Sequence, residues 1–133
     1  MENIETLTQC PCQFQEYVPK EFEFRVIVVG CRVFAIEIHS QQSEKTKHDW
    51  RHYDFDKVAH RVHELPDGVR NQCLALVKAL NLRFGAIDMI VTPNHEYVFL
   101  EINPTGQYQW LEALTGLPIT ESIVDLLING PRE

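Results

Sequence analysis

The stretch FGAIDMIVTPNHEYVFLEINPTG, residues 84–106, constrains the fold more strongly than any other part of the sequence. Its two apolar runs have the length of strands and flank a Pro-Asn-His turn, which predicts a β-hairpin. If Asn94-His95 is a two-residue loop, Asp88 lies directly across from Glu101. Directly opposite side chains share one face of a hairpin, and Asn103, two residues beyond Glu101, points to the same face.

This predicted cluster of three oxygen-bearing side chains indicates a cation site. Two carboxylates that face each other between apolar strands repel and are costly to desolvate, and a bound hard cation removes that cost. Few protein oxygen ligands, with room left for waters and phosphates, suit Mg²⁺ better than Ca²⁺. The alternative is that Asp88 and Glu101 are simply solvated near strand ends, which fits Asp88 less well because its neighbours in the sequence are apolar.

The rest of the sequence predicts an α+β domain with a mostly antiparallel sheet and helices packed on one face. Strands are predicted at 13–18, 21–29, 33–38, 84–92 and 96–103, and helices at about 69–80, 107–115 and 120–128. Apolar and mostly polar side chains alternate along residues 21–29, which is typical of a half-buried strand. The polar residues 39–57 are predicted to form a long loop, and residues 1–12 a lead-in segment before one domain at 13–133.

The charge and composition exclude several classes of protein. The chain of 133 residues has 12 Lys and Arg against 19 Asp and Glu, a net charge of −7, and 44% of its residues are hydrophobic. A disordered chain would be less hydrophobic, so we expect a folded domain. The acidic balance argues against nucleic acid and against an anionic membrane as partners, because both require a positive field.

Targeting signals and metal-binding cysteine motifs are also missing from the sequence. No apolar run approaches the ~20 residues of a membrane span, and the acidic start MENIE is unlike a signal peptide. We therefore expect a cytoplasmic protein whose four cysteines are free thiols. His60 and His63 are spaced to share a helix face, but no HExxH motif accompanies them, and polar loop residues are a better interpretation than a zinc site.

Several motifs, in order, resemble the ATP-grasp ligases. The pattern D-x-x-V-T followed by Y-V-x-L-E-I-N-P-x-G looks like the metal-binding end of that fold. Upstream, QEYV at 15–18 and EFR at 23–25 look like its adenine hinge, ribose-binding acid and active-site arginine. The resemblance runs from Phe14 to Leu127. It is closest to the ATP-grasp maturases of ribosomal peptides, of the microviridin or graspetide type, and next to the ribosomal-protein glutamate ligases.

The resemblance implies a role for each matching residue. Glu23 would accept the ribose hydroxyls and Arg25 would reach the phosphates or an acyl phosphate, a task for which the fixed fork of donors of an arginine is suited. Arg51, in an Asp-Trp-Arg stretch, would border the acceptor. Without the resemblance, Glu23 is an exposed strand residue and Arg51 a solvated loop charge.

The resemblance also implies two cofactors, ATP and Mg²⁺, with two metal ions in the full enzyme. The adenine would be read by backbone groups of a hinge formed by Gln15, Glu16, Tyr17 and Val18. The metal ions would bridge the terminal phosphates and be held by Asp88, Glu101 and Asn103.

The sequence departs from the family in one large way, because it supplies only the second of the two subdomains that form an ATP-grasp clamp. The amino-terminal region, the glycine-rich phosphate lid and the lysines before the hinge are absent, and the six glycines are scattered. Phosphoryl transfer depends on positioning and on charge neutralisation. We therefore expect this chain alone to bind nucleotide weakly, and whether it is an enzyme alone stays open.

Two functions remain at this point. The first is the Mg-ATP-binding part of a ligase that activates a carboxylate as an acyl phosphate and forms an amide or ester, crosslinking a ribosomal precursor peptide. The second is a non-catalytic, truncated module that binds nucleotide, peptide or a partner ligase. Homodimerisation is a further possibility, because a missing subdomain would leave apolar surface exposed.

Overall fold

The computed structural model describes residue 11, residues 14–47 and residues 57–131. One five-stranded, fully antiparallel sheet has the order β3-β2-β1-β4-β5, which confirms the predicted α+β class. Its strands are β1 (Phe22–Val29), β2 (Arg32–Ile38), β3 (His60–His63), β4 (Phe84–Val91) and β5 (Tyr97–Asn103). The helices are α1 (Asp67–Ala79), α2 (Gln109–Thr115) and α3 (Ile119–Asn129), with a short 3₁₀ turn at Ser40–Gln42.

Strand β1 lies at the centre of the sheet and is buried on both faces. Every residue from Glu23 to Val29 is buried, including the charged Glu23 and Arg25. The prediction of a half-buried strand is therefore wrong. Alternation of apolar and polar residues does distinguish the two faces, but other elements of the chain pack on each of them, so neither face of this strand meets solvent.

Helices cover both faces of the sheet, and the predicted packing on one face alone is wrong. Helix α1 packs Cys73 and Val77 against the face that carries Phe24, Val26 and Val28, which we call the α1 face. The opposite face, which we call the α2–α3 face, meets Leu111 of α2 and Ile119 of α3. Both faces need cover because the central strands are apolar on both sides at the end where the chain turns at Gly30.

The largest errors in the predicted strands lie at the margins of the sheet. Strand β3 was not predicted, because its four residues, HRVH, are mostly polar and it is an edge strand that pairs only with β2. The predicted strand at 13–18 is wrong over its described part, since residues 14–20 form no regular element. Phe14 and Tyr17 of this segment are 78% and 61% exposed.

The helices are short, with 13, 7 and 11 residues. Each lies within two residues of its predicted bounds, and α2 ends at Gly116, which adopts the left-handed conformation that glycine allows. Within the described ranges, no helix has the length and apolar character needed to cross a membrane.

Candidate active site

The hairpin of β4 and β5 has a different turn from the one predicted. The loop has three residues, Pro93–His95, and closes where the backbone N–H of Thr92 donates to the carbonyl of Glu96 at 3.0 Å. His95 adopts φ of 60°, as the last residue of such loops commonly does. This loop sets a register in which Val91 pairs with Tyr97, one residue away from the prediction.

A bulge then restores the predicted pairing. Met89 pairs with Phe99, but Asp88 pairs with Glu101, so Leu100 is the extra residue of β5. Phe99 faces helix α1, and the extra residue turns Glu101 to the opposite, α2–α3 face. Bulges of this kind re-aim side chains and are common beside active sites. The predicted opposition of Asp88 and Glu101 is confirmed, although it depends on two irregularities that cancel.

Three charged residues form a row across the sheet. Arg25 of β1 pairs with Asp88 of β4, which pairs in turn with Glu101 of β5, so all three occupy the α2–α3 face. Nη1 of Arg25 donates to both carboxylate oxygens of Asp88, at 2.6 and 2.8 Å. Arg25 and Asp88 are only 6% and 3% exposed, whereas Glu101 at the edge strand is exposed. The row therefore runs from a buried ion pair to a carboxylate that solvent can reach.

The loop after β5 closes over Arg25. Gly106 is buried, and a Cβ atom there would lie 2.7 Å from Nη2 of Arg25 and 2.4 Å from Cβ of Ala86. Nη2 of Arg25 also donates to the carbonyl of Gln107, at 3.4 Å. Only glycine fits this close approach. Gly106 was not among the predicted site residues, although its place in the motif E-I-N-P-x-G was a usable signal.

A second ion pair lies beside the first on the same face. Glu23, two residues before Arg25 on β1, is 3% exposed and accepts a hydrogen bond from Nζ of Lys20 at 2.5 Å. The predicted common face of Glu23 and Arg25 is thus confirmed, and the exposed-strand interpretation of Glu23 is wrong. Lys20 was missed, although a lysine three residues before a buried acid on the same segment is a natural partner.

Asn103 completes the predicted set of oxygen ligands. It pairs with Ala86, two residues along β4 from Asp88, which confirms that it shares the face of Glu101. Its Oδ1 accepts hydrogen bonds from the backbone N–H of Thr105 at 2.9 Å and from the Thr105 hydroxyl at 3.2 Å. These contacts fix the orientation of an exposed side chain.

The donor chemistry of this set fits Mg²⁺, because carboxylate and amide oxygens are the ligands of hard cations. The set consists of two carboxylates, Asp88 and Glu101, and one amide, Asn103. No group of three or more His, Cys, Asp or Glu in the described ranges is arranged to hold a metal. The electrostatic argument made from the sequence needs correction. Arg25 already supplies a positive charge at Asp88, so a cation is not required to compensate that carboxylate.

The remaining predicted site residues lie before β1 or outside the described residues. Gln15, Glu16 and Tyr17 are exposed and Val18 is half-buried, in the segment without regular structure that leads into β1. Arg51 and its Asp-Trp-Arg stretch lie outside the described residues. The hinge and the acceptor-side arginine therefore stay predictions.

Aromatic residues beside the site loop pack against the sheet and border a cleft. Trp110 contacts Ile38 and Val58, and His60 meets its ring edge-on at 5.5 Å. A cleft of about 440 Å³ is lined by the consecutive residues 105–110. Trp110 is half-buried in this packing.

The favoured interpretation of His60 and His63 as polar loop residues is wrong, because both lie on strand β3. Residues three apart on a strand face opposite sides, so the two do not share a face as they would on a helix. His60 meets Trp110 on the α2–α3 face, and its pKa is lowered by burial, with a smaller lowering by His39 opposed by a backbone hydrogen bond at Val58. On the α1 face, His63 Nδ1 is hydrogen-bonded to Glu37 at 2.5 Å.

No protein-family model and no curated protein sequence matches the chain, whereas solved structures match it closely. The RiPP-associated ATP-grasp ligase of Chryseobacterium gregarium, solved with ADP and a leader and core peptide, is 43% identical over 99% of the chain, with a TM-score of 0.88. The macrocyclase MdnC of Microcystis aeruginosa, bound to the precursor peptide MdnA, is 42% identical over 94% of the chain, with a TM-score of 0.78.

A third structure, the ATP-grasp ligase PsnB with a precursor variant, Mg and ADP, is 25% identical over 98% of the chain, with a TM-score of 0.76. The chain covers 40%, 38% and 40% of the lengths of these three proteins. It thus spans about two fifths of each relative, while nearly all of its own length is matched. The common fold and the sequence identity of more than two fifths to two such ligases place the chain in the ATP-grasp superfamily, with the RiPP-associated ligases of the microviridin type.

Proposed function

We propose that this chain is the Mg-ATP-binding part of a ligase that activates a carboxylate as an acyl phosphate and joins it to an amine or hydroxyl. The observation that carries the proposal is the row of Arg25, Asp88 and Glu101 on one face of the sheet, in a chain 43% identical to a ligase solved with ADP. A charged row in the middle of a sheet is costly to bury, and a role in binding a charged ligand would explain why the charges are there.

Each residue of the row has a part in this proposal. Asp88 and Glu101 would hold Mg²⁺ together with the amide oxygen of Asn103, and the metal would neutralise charge on the terminal phosphates of ATP. Arg25 would hold a phosphate or acyl-phosphate oxygen, since its guanidinium lies beside the acids and carries a fixed fork of donors. Glu23 would accept the ribose hydroxyls after exchanging its contact with Lys20.

The proposed adenine hinge is the segment from Gln15 to Val18. Its position supports this role in one respect, since the chain leads from it directly to Lys20 and Glu23 on the α2–α3 face. An exposed segment with no regular hydrogen-bonding pattern is accessible to a purine edge. Arg51 is proposed to border the acceptor, on the sequence resemblance alone.

The proposed substrate is a ribosomal precursor peptide, crosslinked through side-chain amides or esters. The support is that two relatives above 40% identity were solved with a leader and core peptide or with a precursor peptide. The chain spans about two fifths of those proteins, so the peptide-binding and lid regions of a complete ligase would be supplied by further sequence or by a partner subunit. In the second candidate function, the same row binds nucleotide or peptide without turnover.

Calorimetric titration of the purified chain with ATP, with and without Mg²⁺, tests the proposal. The variants Asp88→Asn and Glu101→Gln remove one carboxylate charge each with little change in shape. Glu96→Gln is a matched control for Glu101→Gln, because Glu96 is also an exposed glutamate next to β5 but sits at the hairpin loop, away from the row. We expect Mg²⁺-dependent binding in the wild type and in Glu96→Gln, and at least about tenfold weaker binding in the two site variants.

Two results would count against the proposal. Equal ATP affinity with and without Mg²⁺ would remove the metal role of Asp88 and Glu101. Unchanged affinity in folded Asp88→Asn would show that nucleotide binds elsewhere. If the chain binds Mg-ATP as expected, adding the precursor peptide and following phosphate release separates the ligase from the non-catalytic module.

A further inference from the structure

We infer that Arg25 is a built-in substitute for the cation, holding Asp88 when no metal is bound and releasing it when Mg²⁺ binds. This inference rests on the proposed metal role of Asp88. It assigns Arg25 a second task besides phosphate binding, namely to keep the acidic row folded and neutralised in the empty site and to make metal binding depend on the nucleotide.

The position of one nitrogen atom supports the substitution. Nη1 of Arg25 lies 2.6 and 2.8 Å from the two carboxylate oxygens of Asp88. It therefore sits between both oxygens, where a cation that contacts the pair would lie. Arg25 and Asp88 are directly paired on adjacent strands and both are buried, so the guanidinium cannot be replaced by bulk water without a large cost.

The two terminal nitrogens of the guanidinium contact different groups. Nη1 makes two short contacts to Asp88, whereas Nη2 reaches the carbonyl of Gln107 only at 3.4 Å, near the limit of a hydrogen bond. Gly106 lines the side of Nη2 and adds no side chain that would lock it. A cation that binds both carboxylate oxygens of Asp88 has to displace this ion pair.

The local charges predict how Arg25 changes the affinity of the site for Mg²⁺. The described charged groups of this part of the face are three carboxylates, those of Glu23, Asp88 and Glu101, and two cations, Lys20 and Arg25. Their sum is −1, and removal of the Arg25 charge makes it −2. A divalent cation is attracted more strongly to the second arrangement, so Arg25 lowers the affinity for Mg²⁺ alone.

Bound nucleotide reverses the lowering of Mg²⁺ affinity by Arg25. Phosphate groups add negative charge and offer Arg25 another anionic partner, so displacement from Asp88 costs less when nucleotide is present. Metal and nucleotide then bind with positive coupling, and each raises the affinity of the other by the same factor. The consequence is a site that is stable when empty and takes up metal together with the phosphates.

The test uses the full chain and MgCl₂ without nucleotide. Calorimetry and thermal unfolding, in MgCl₂ and in NaCl of equal ionic strength, are compared for the wild type and Arg25→Gln. We expect Mg²⁺ to bind about tenfold more tightly to Arg25→Gln and to raise its Tm more than that of the wild type. Adding Glu101→Gln to Arg25→Gln should cancel the gain.

Arg32→Gln is the matched control. Arg32 also pairs with an aspartate, at 2.6 Å from Asp125 Oδ2, but at the far end of β2 and with its side chain 38% exposed. Arg32→Gln should respond to Mg²⁺ as the wild type does. An equal gain in Arg32→Gln would show a general charge effect and overturn the inference, as would an Mg²⁺ affinity of folded Arg25→Gln no higher than that of the wild type.

A second measurement covers the case in which Arg25→Gln does not fold. In the wild type, the guanidinium NMR resonance of Arg25 should shift at saturating MgCl₂ and stay unchanged in NaCl of equal ionic strength, while that of Arg32 stays unchanged in both. An unshifted Arg25 resonance overturns the inference. Because no nucleotide is present, failure here is distinct from failure of the proposed function, which is read from Mg-ATP binding to Asp88→Asn and Glu101→Gln.

Discussion

The two faces of strands β1 and β4 come from the same two segments and have opposite characters. On the α1 face, Phe24 and Val26 meet Ile87 and Met89 in a continuous apolar cluster under helix α1. On the α2–α3 face, at the same level of the sheet, Arg25 pairs with Asp88. A shift of one position along a strand therefore changes a packed core into a charged row, because successive side chains point to opposite faces.

This difference separates stability from binding within one sheet. Apolar burial on the α1 face contributes directly to the free energy of unfolding. A buried arginine–aspartate pair contributes little net stability compared with an apolar pair of the same size, because both charges lose their hydration. The charged row is thus better explained by a ligand than by folding, and the two faces should respond differently to mutation.

The largest expected effect is on the α1 face. Phe24 is 1% exposed and contacts the rings of Phe22, His63 and Tyr97 at centroid distances of 5.3, 4.8 and 5.8 Å. Phe24→Ala should lower the free energy of unfolding by about 3–5 kcal/mol, since it removes buried apolar area and leaves a cavity. Urea unfolding monitored by circular dichroism measures this loss.

Phe99→Ala is the matched control on the same face, because Phe99 lies on the edge strand and is 48% exposed. Its loss should be less than half that of Phe24→Ala. Losses of equal size would mean that the edge of the α1 face is packed as tightly as its centre. That result would contradict the expectation that the α1 face contributes to stability in proportion to the apolar area that it buries.

Much of the fold that produces these two faces was predictable from the sequence, because it follows from local patterns. The apolar runs predict four of the five strands, and the spacing of Val69, Cys73, Leu76 and Val77 predicts α1. The stretch at residues 84–106 predicts the hairpin and its two acids, Asp88 and Glu101. The wrong predictions concern features that depend on neighbours distant in sequence. Strand β3 is a strand because β2 offers it an edge, and β1 is buried on both faces because it became central.

The site shows the same limit in finer detail. A two-residue loop and a regular ladder predict that Asp88 faces Glu101, and the pairing is correct. It is produced instead by a three-residue loop and a bulge at Leu100, neither of which has a signature such as Asn-Gly in the sequence. The partner of Asp88 was missed for a related reason, because Arg25 lies 63 residues away and only the strand order brings the two together.

A smaller effect is expected at the loop that covers the charged row. Gly106→Ala would place a Cβ atom 2.4 Å from Ala86 and 2.7 Å from Nη2 of Arg25, so the loop has to shift. We expect a loss of about 1–3 kcal/mol in the free energy of unfolding, together with weaker Mg-ATP binding, because Arg25 moves with the loop. Urea unfolding and calorimetry give the two readouts.

Gly68→Ala is the matched control, because a Cβ atom there meets no atom within 4 Å and the residue lies in the first turn of α1. It should leave Mg-ATP binding unchanged and raise stability by about 0.4–1 kcal/mol, since alanine restricts the unfolded chain more than glycine does. Unchanged Mg-ATP affinity in Gly106→Ala would show that the loop does not position Arg25 for binding.

The smallest effect concerns the edge strand β3, where His60 faces Trp110 on the α2–α3 face. Burial lowers the pKa of His60 below its ordinary value of 6.5, so the unfolded chain takes up the proton more readily than the folded one. The stability that depends on neutral His60 is complete above pH 6.5 and is lost as the pH falls through the lowered pKa. His60→Gln should therefore show a shallower fall in the urea midpoint between pH 7.5 and pH 5.5 than the wild type.

His95→Gln is the control, because His95 lies at the hairpin loop with its side chain 82% exposed. It should keep the wild-type dependence of the urea midpoint on pH. A wild-type slope in His60→Gln would assign the acid sensitivity to other groups and leave the contact with Trp110 as packing alone.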